Sequence, residues 1–204
     1  MHSRVLKRVL TIVLTVIVGV GFMSPSLTAR ATTEPPFEVV FPQETSETYF
    51  SSTFGAYRSG GRRHKGNDLM APRMTEVYAI ADGVVIYVGL NRLSGRNIKI
   101  DHGDGWQSFY LHLNNDNPGT DDGRGGSSTA FSRNISVGGF VDAGQVVGFV
   151  GDSGNAEHTL PHTHFELHRN GRAIDPFGML VLAHQRGRMA VQAERLSTLA
   201  DRIT

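Results

Sequence analysis

The chain has 204 residues, which is enough for one domain with a sizeable hydrophobic core. It contains no cysteine, which excludes disulfide cross-links, thiolate metal sites and a lipid-modified cysteine. The formal net charge is +1, but residues 1–31 hold four basic side chains and no acidic one, so the remainder carries 16 basic against 19 acidic side chains. A slightly acidic balance of this kind does not indicate binding to nucleic acid or to a membrane surface.

The first 31 residues have the pattern of an export signal. Three basic residues precede an apolar run from Val9 to Met23, and the tripeptide Ala29-Arg30-Ala31 follows. Segments of these types in this order predict a secretory signal peptide over residues 1–31, cleaved after Ala31. The apolar run is shorter than the about 20 residues of a membrane span, so an uncleaved anchor is the less favoured alternative. We therefore expect a secreted or cell-envelope protein, in periplasm or cell wall, without membrane attachment after cleavage.

The next two segments differ sharply in amino-acid composition. Residues 32–53 are rich in proline, serine, threonine and glutamate, which predicts a linker or an ordered N-terminal arm. Residues 54–178 contain short apolar runs such as GVVIYVG and THFELHRNG, separated by glycine, aspartate and asparagine. Runs of this length and punctuation indicate antiparallel strands. The fold class predicted for residues 54–178 is therefore mainly β.

A long stretch between His112 and Val137 interrupts this pattern. Its apolar content is low, so it is predicted to be a surface loop. The part from Asn114 to Asp122 could offer oxygen ligands to calcium, but its spacing does not fit an EF-hand. Solvated turns are the favoured interpretation.

Residues 179–204 are predicted to form a C-terminal helical tail. Apolar residues recur there at roughly helical spacing, although Gly187 weakens the helix prediction. These apolar positions are Leu182, Met189, Leu196 and Leu199.

The segment LPHTHFELH, residues 160–168, alternates polar and apolar side chains. In a strand, Thr163, Phe165 and Leu167 would face the core, because successive side chains point to opposite faces. A His-x-His pair on the other face holds its imidazoles roughly 6–7 Å apart at the backbone, which suits one zinc ion between them. Taken alone, a histidine-rich solvated face is the alternative. The polar positions are His162, His164, Glu166 and His168.

A second polar group lies in RRHKGNDLMAP, residues 62–72. His64 and Asp68 are four apart, but Gly66, Asn67 and Pro72 argue against a helix there. A turn or a strand end is the favoured conformation. The alternative to a site is an Asp68 that caps a turn beside a surface His64.

A third polar group lies in SFYLHL, residues 108–113. On a strand, Ser108, Tyr110 and His112 would share one face, opposite Phe109, Leu111 and Leu113. This polar stripe ends in a histidine, so it is either a strand face without function or part of a site.

These motifs together resemble the lysostaphin-like zinc metallopeptidases that cut peptidoglycan peptides. The family pattern H-x-G-x-D followed by A-P matches residues 64–68 and 71–72. A Tyr-x-His-Leu element matches residues 110–113, and Pro-His-x-His-Phe-Glu matches residues 161–166. The resemblance covers about residues 54–178, with the elements in order. The insertion after His112 is absent from the smallest members, and no recognisable wall-binding module flanks the domain.

The resemblance implies an antiparallel β-sheet metallopeptidase domain with a narrow groove. His64, Asp68 and His164 would be the zinc ligands, leaving an open position for water. His112 and His162 would be catalytic and stand beside the metal without binding it. One would take the proton of the zinc-activated water and the other would stabilise the oxyanion, and the resemblance favours His162 as the base.

The resemblance also implies a function. The chain would be a monomeric, secreted zinc endopeptidase that hydrolyses stem or cross-link peptides of peptidoglycan, with Zn²⁺ as its cofactor. Glu166 could hold a ligand N–H or be a surface salt-bridge partner. An inactive wall-binding or hydrolase-regulating relative, and a zinc carboxypeptidase acting on stem peptides, are the alternatives. The inactive relative ranks lower because all five family positions are present.

Overall fold

Strands dominate residues 34–202, the part of the chain that the computed structural model describes. The predicted signal peptide lies outside these residues. The strands are β1 (Tyr57–Arg58), β2 (Arg62–Arg63), β3 (Asn67–Met70), β4 (Glu76–Tyr78), β5 (Gly83–Asn91), β6 (Gly95–Gly103), β7 (Trp106–Leu113), β8 (Phe140–Val141), β9 (Val146–Phe149), β10 (His162–Arg169) and β11 (Arg172–Ile174). The helices are α1 (Ser127–Ala130) and α2 (Phe177–Asp201). The predicted mainly β class with a C-terminal helix is confirmed.

The main sheet is antiparallel and has the strand order β11-β10-β7-β6-β5-β8. Strand β3 also pairs with β10, along the half that β11 leaves free. The register sets His164 of β10 opposite Asp68 of β3 on one side and Leu111 of β7 on the other. Residues almost one hundred positions apart in sequence thereby become neighbours.

The predicted alternation on β10 is confirmed. Thr163, Phe165 and Leu167 are each at most 1% exposed and face the core. The apolar faces of β6 and β7 cover the same core, which buries Ile98, Ile100 and Trp106 completely. Polar side chains at the alternate positions of β10 are thereby directed to the opposite face.

Ser108 and Tyr110 share one face of β7 as predicted, but His112 does not lie on that face. Ser108 and Tyr110 are completely buried in the core, where the Tyr110 hydroxyl accepts the N–H of Ile80 at 2.9 Å. His112 nevertheless lines the groove, as Leu111 does. The reason is local backbone geometry, because His112 has a φ of 61° and the regular alternation of the strand fails there.

Residues 34–53 form an ordered arm, one of the two predicted alternatives. Val39 and Phe41 are buried in the core. Gln43 forms an isolated bridge with Val77, and the N–H of Val40 donates to the carbonyl of Ile80 at 2.8 Å. The arm therefore completes the core and does not act as a free linker.

The segment between β7 and β8 is only partly the predicted surface loop. Residues 117–124 are exposed, but Asn114, Asp116 and Phe131 at its two ends are buried. Arg73 holds this segment, because its Nε donates to Asp116 at 2.9 Å and its Nη2 lies 2.5 Å from buried Asp152. The prediction failed at these ends because a distant arginine supplies partners for buried carboxylates.

Helix α2 is present as predicted. It buries Leu180 and Ala183, whereas the four apolar positions whose spacing indicated the helix are 51–70% exposed. Only the first part of the helix rests on the domain, since His184 contacts the carbonyl of Thr45 at 3.0 Å and Arg186 that of Val39 at 2.9 Å. Within residues 34–202, no helix combines the length and apolarity that crossing a membrane requires.

Candidate metal centre

Three side chains converge between β3 and the segment that precedes it on one side and β10 on the other. His64 Nε2 lies 3.0 Å from Asp68 Oδ1 and 2.7 Å from His164 Nδ1. His164 Nδ1 lies 2.9 Å from Asp68 Oδ1. One atom from each residue is therefore available for a shared ion, and all three lie within 4.8 Å of one another. The structure thus brings together the three residues that the sequence predicted as ligands.

The outward nitrogens of both imidazoles determine where their protons lie. His64 Nδ1 is 2.9 Å from the carbonyl oxygen of Thr53, and His164 Nε2 is 3.0 Å from Glu166 Oε1. These oxygens can only accept, so the outward nitrogens donate and the neutral rings turn lone pairs inward. In this tautomer two nitrogen lone pairs and Asp68 Oδ1 face one another. Two imidazoles and one carboxylate are a donor set that fits zinc.

The pKa shifts of Asp68 and His164 describe the charge that this cluster favours. Burial alone would raise the pKa of Asp68, but hydrogen bonds with His164 and His64 outweigh burial and hold that pKa far below its usual range. Burial alone would lower the pKa of His164, but Asp68 and Glu166 raise it. The cluster therefore keeps its carboxylate ionised and attracts positive charge.

Glu166 lies behind His164, away from the converging atoms. Its second oxygen is 2.6 Å from His168 Nε2, and the His168 ring stacks on Phe109 with centroids 4.1 Å apart. Glu166 is 8% exposed, so of its two predicted roles the position fits a holder of the His164 N–H. No motif gives His168 a role, although its place in the alternating polar stripe of residues 162–168 was a signal for one.

Arg58 of β1 contacts the other side of Asp68. Its Nη2 donates to Asp68 Oδ2 at 2.5 Å, so both oxygens of this carboxylate have partners. No motif in the sequence indicates a role for Arg58. Only the short hairpin of β1 and β2 brings this residue back beside the strand that follows.

His112 and His162 flank the cluster with their ring centroids 5.3 Å apart. His112 Nδ1 lies 2.8 Å from the carbonyl of Ser153, and His162 Nδ1 lies 2.8 Å from that of Leu160. Each Nδ1 must therefore donate, which leaves both Nε2 atoms as acceptors. His162 Nε2 is 3.9 Å from Asp68 Oδ1, and burial lowers the pKa of His112 to about 4.

Gly66 explains how β3 approaches β10 so closely. A Cβ atom at this position would lie 1.9 Å from the carbonyl oxygen of Phe165. The predicted turn or strand end is observed between His64 and β3, but glycine is needed there for the close contact and not for a left-handed backbone. The distance between the candidate ligands on β3 and β10 thus depends on the absence of a side chain at Gly66.

The cluster opens into a groove of about 730 Å³. His64, Asp68 and His164 line it together with the flanking His112 and His162. The groove runs between the β1–β2 hairpin and the segments around Leu93 and Leu160. All five predicted site residues therefore share one cavity.

The sequence model of peptidase family M23 matches residues 62–123 and 126–176, more than half of the chain. The chain belongs to peptidase family M23. The matched range contains the whole cluster and both flanking histidines. The lysostaphin-like resemblance is thereby confirmed, and it places the chain in a family of peptidoglycan peptidases with zinc-dependent members.

Curated M23 relatives include enzymes and a regulator. The chain is 36% identical to the DD-carboxypeptidase/endopeptidase Mpg of Neisseria meningitidis, over 63% of this chain and 26% of the relative. It is 33% identical to the L-Ala--D-Glu endopeptidase of Bacillus subtilis, over 69% of this chain and 42% of the relative. It is 34% identical to the murein hydrolase activator EnvC of Escherichia coli, over 60% of this chain and 25% of the relative. The matches thus span less than half of each relative.

Solved M23 structures share the fold. The catalytic domain of lysostaphin from Staphylococcus simulans is 27% identical with a TM-score of 0.53, and the match covers 67% of this chain and 94% of that one. A zinc-containing peptidase from Vibrio cholerae is 26% identical with a TM-score of 0.54, and the match covers 68% of this chain and 39% of that one.

Proposed function

We propose that this M23 protein is an active zinc endopeptidase that hydrolyses peptide bonds in peptidoglycan outside the cytoplasmic membrane. The observation that carries the proposal is the convergence of three acceptor atoms, from His64, Asp68 and His164, beside two further imidazoles in one groove. Three protein ligands are typical of a catalytic zinc site, whereas structural sites are closed by four.

Zinc held by these residues would lower the pKa of a water to about 7 and polarise a peptide carbonyl. The side chains around it prepare the site for this chemistry. Glu166 fixes the His164 ring by accepting its Nε2 proton at 3.0 Å, and Thr53 fixes the His64 ring through its carbonyl at 2.9 Å. Arg58 orients Asp68 by occupying its second oxygen. Ligand orientation is therefore set before zinc binds.

The flanking histidines supply proton transfer and charge stabilisation. We assign the general base to His162, because its Nε2 is a free acceptor 3.9 Å from Asp68 Oδ1. After taking a proton from the attacking water, this nitrogen can deliver it to the leaving amine. His112 faces the same groove 5.3 Å away and is assigned to the developing oxyanion, because a negative charge beside the ring would favour its protonated form and offset the burial that otherwise lowers its pKa.

Two alternatives have specific sources. The first is a regulator of another hydrolase, because the name of EnvC describes a hydrolase activator. The presence of all five site residues in one groove of this chain favours the active enzyme. The name of Mpg includes carboxypeptidase activity, which would use the same side chains on a peptide end.

The domain organisation is part of the proposal. A signal peptide would occupy residues 1–31, a linker or N-terminal arm 32–53, the peptidase domain 54–178 and the helical tail 179–204. We expect the exported protein to begin at Thr32 and to act as a monomer on peptidoglycan peptides. Mass spectrometry of the N-terminus in the producing cell tests this, and a chain that retains Met1 in the membrane fraction would mean an anchor.

The deciding experiment incubates purified protein with defined muropeptides, with and without a chelator. We expect one zinc per chain by elemental analysis and zinc-dependent cleavage within a cross-linked peptide. Removal of only a terminal residue would indicate a carboxypeptidase, and zinc binding without cleavage would indicate a regulator. His64→Ala should lose zinc, whereas His184→Ala, which alters a histidine far from the groove, should keep it.

A further inference from the structure

The two walls of the groove differ in charge. One wall carries four cationic side chains from the β1–β2 hairpin and the residues after it: Arg58, Arg62, Arg63 and Lys65. We call this set the basic wall. The groove-lining residues on the other side, within 93–94 and 155–160, are all uncharged. A peptide in the groove would therefore meet positive charge along one edge only.

Three members of the basic wall have no carboxylate partner within the described residues. Arg62 donates to the carbonyl and hydroxyl of Ser59, at 3.1 and 3.3 Å. Arg63 donates to the carbonyl of Gly55 at 3.0 Å, and its guanidinium lies 3.5 Å from the centre of the Tyr57 ring. Lys65 is exposed. These contacts position the two guanidinium groups without neutralising them, so their charge remains available to a ligand.

The carboxylates inside the groove are already engaged. Asp68 is bound by Arg58 and two imidazoles, and Glu166 is bound by His164 and His168. Neither is available to compensate the remaining cations of the wall. The ligand that complements this surface is therefore an anionic peptide, whose carboxylate can form charge-assisted hydrogen bonds with guanidinium or ammonium groups.

We propose that the basic wall makes the protein selective for wall peptides that carry a free carboxylate next to the cleaved bond, over the same peptides with that carboxylate amidated. The inference rests on the proposed function, since it assigns a substrate class to the same groove. The carboxylate could belong to a D-glutamyl residue or to the diamino acid that follows it in a stem peptide, and the shared chemistry is an unamidated carboxyl group.

The expected preference follows from the exposure of the wall. An exposed ion pair changes an equilibrium by about 2- to 5-fold, so two such contacts give a preference of about 4- to 25-fold in kcat/KM. Screening should reduce it, because the Debye length falls from about 10 Å at 0.1 M salt to about 3 Å at 1 M. A preference based on shape alone would not respond to salt in this way.

The test uses zinc-loaded protein and four versions of one cross-linked peptide: unmodified, amidated at the D-glutamyl carboxyl, amidated at the diamino acid, and amidated at both. Cleavage is followed by chromatography, and affinity by fluorescence anisotropy of labelled peptides. The variant is Arg62→Gln combined with Lys65→Gln, which removes two charges but no contact with Asp68. The matched control is Arg133→Gln, an exposed arginine that does not line the groove.

We expect the unmodified peptide to be preferred, and the singly amidated peptides identify which carboxylate is recognised. The double variant should reduce the ratio of kcat/KM between the unmodified and amidated peptides at least 3-fold, and the control variant should leave this ratio unchanged. Equal kcat/KM for all four peptides, or an unchanged ratio in the double variant, overturns the inference. If no peptide is cleaved, the proposed function fails. The affinity ratio then still decides the inference, since equal affinities reject it and a salt-sensitive preference supports it.

Discussion

Replacing Gly66 by alanine should damage both the stability and the metal site, because one methyl group would separate β3 from β10. The new Cβ would lie 1.9 Å from the carbonyl oxygen of Phe165 and 2.7 Å from its carbonyl carbon. An ordinary contact between carbon and this oxygen is about 3.3 Å, so the strands must separate by roughly 1.4 Å. The obstacle is paired backbone and not a flexible side chain.

The size of the effect follows from this displacement. Overpacking of a buried site costs about 1–3 kcal/mol, and the upper end applies because backbone must move. For a domain of this size, about 3 kcal/mol lowers Tm by roughly 6–12 °C. The same shift moves Asp68 away from His164 across the β3–β10 pairing. A misplacement of about 1 Å in a catalytic site can reduce turnover by about 10²-fold.

The assay combines thermal unfolding, zinc content and peptide cleavage for Gly66→Ala and for Gly178→Ala. Gly178 lies in α2 with no atom within 4 Å of a Cβ, so alanine there should be neutral or stabilise by about 0.5–1 kcal/mol. A Gly66→Ala protein with unchanged Tm and full activity would refute the reasoning that this contact sets the ligand spacing.

Three further changes test other parts of the molecule. His112→Ala should lower kcat by about 10²–10³-fold and leave the zinc content intact, so loss of zinc in step with activity would make His112 a ligand. Glu166→Ala should weaken zinc binding by about 10–100-fold, measured by competition with a chelator, because His164 loses the acceptor of its Nε2 proton; unchanged affinity would return Glu166 to a purely structural role. Arg73→Met should destabilise the domain by about 3 kcal/mol at neutral pH, because buried Asp152 loses its partner. Burial raises the pKa of Asp152 above its usual range, so the stability that its protonated form contributes is present at low pH and is lost as pH rises through that pKa. The deficit of Arg73→Met, measured by urea unfolding, should therefore shrink as the pH falls into the range where Asp152 is protonated, and a deficit independent of pH would contradict this.

Much of the fold and of the site could be predicted from the sequence. Alternation over residues 162–168 predicted which side chains face the core, and the structure places Thr163, Phe165 and Leu167 there. The motif residues His64, Asp68 and His164 were predicted as one ligand set, and they lie together. The first prediction depends on strand periodicity, and the second depends on the resemblance to a known family, whose motifs lie in short segments.

Two features of the structure do not follow from the periodicity of a single segment. The stripe of Ser108, Tyr110 and His112 obeys alternation until the backbone of His112 takes a φ of 61°, a local change that no spacing rule contains. Leu182 and Met189 have helical spacing, but only the beginning of α2 meets the domain, so they remain exposed.

The sequence by itself determined the residue types of the site, the β class and the family. Tertiary structure alone decided that a hairpin brings Arg58 onto Asp68 and that cationic side chains line a single wall of the groove. It also decided that β3 could approach β10 over Gly66 closely enough for three lone pairs to meet. The physical reason is that the direction of a lone pair depends on which carbonyl or carboxylate accepts the hydrogen bond from the N–H on the far side of each ring, and folding alone brings those partners together.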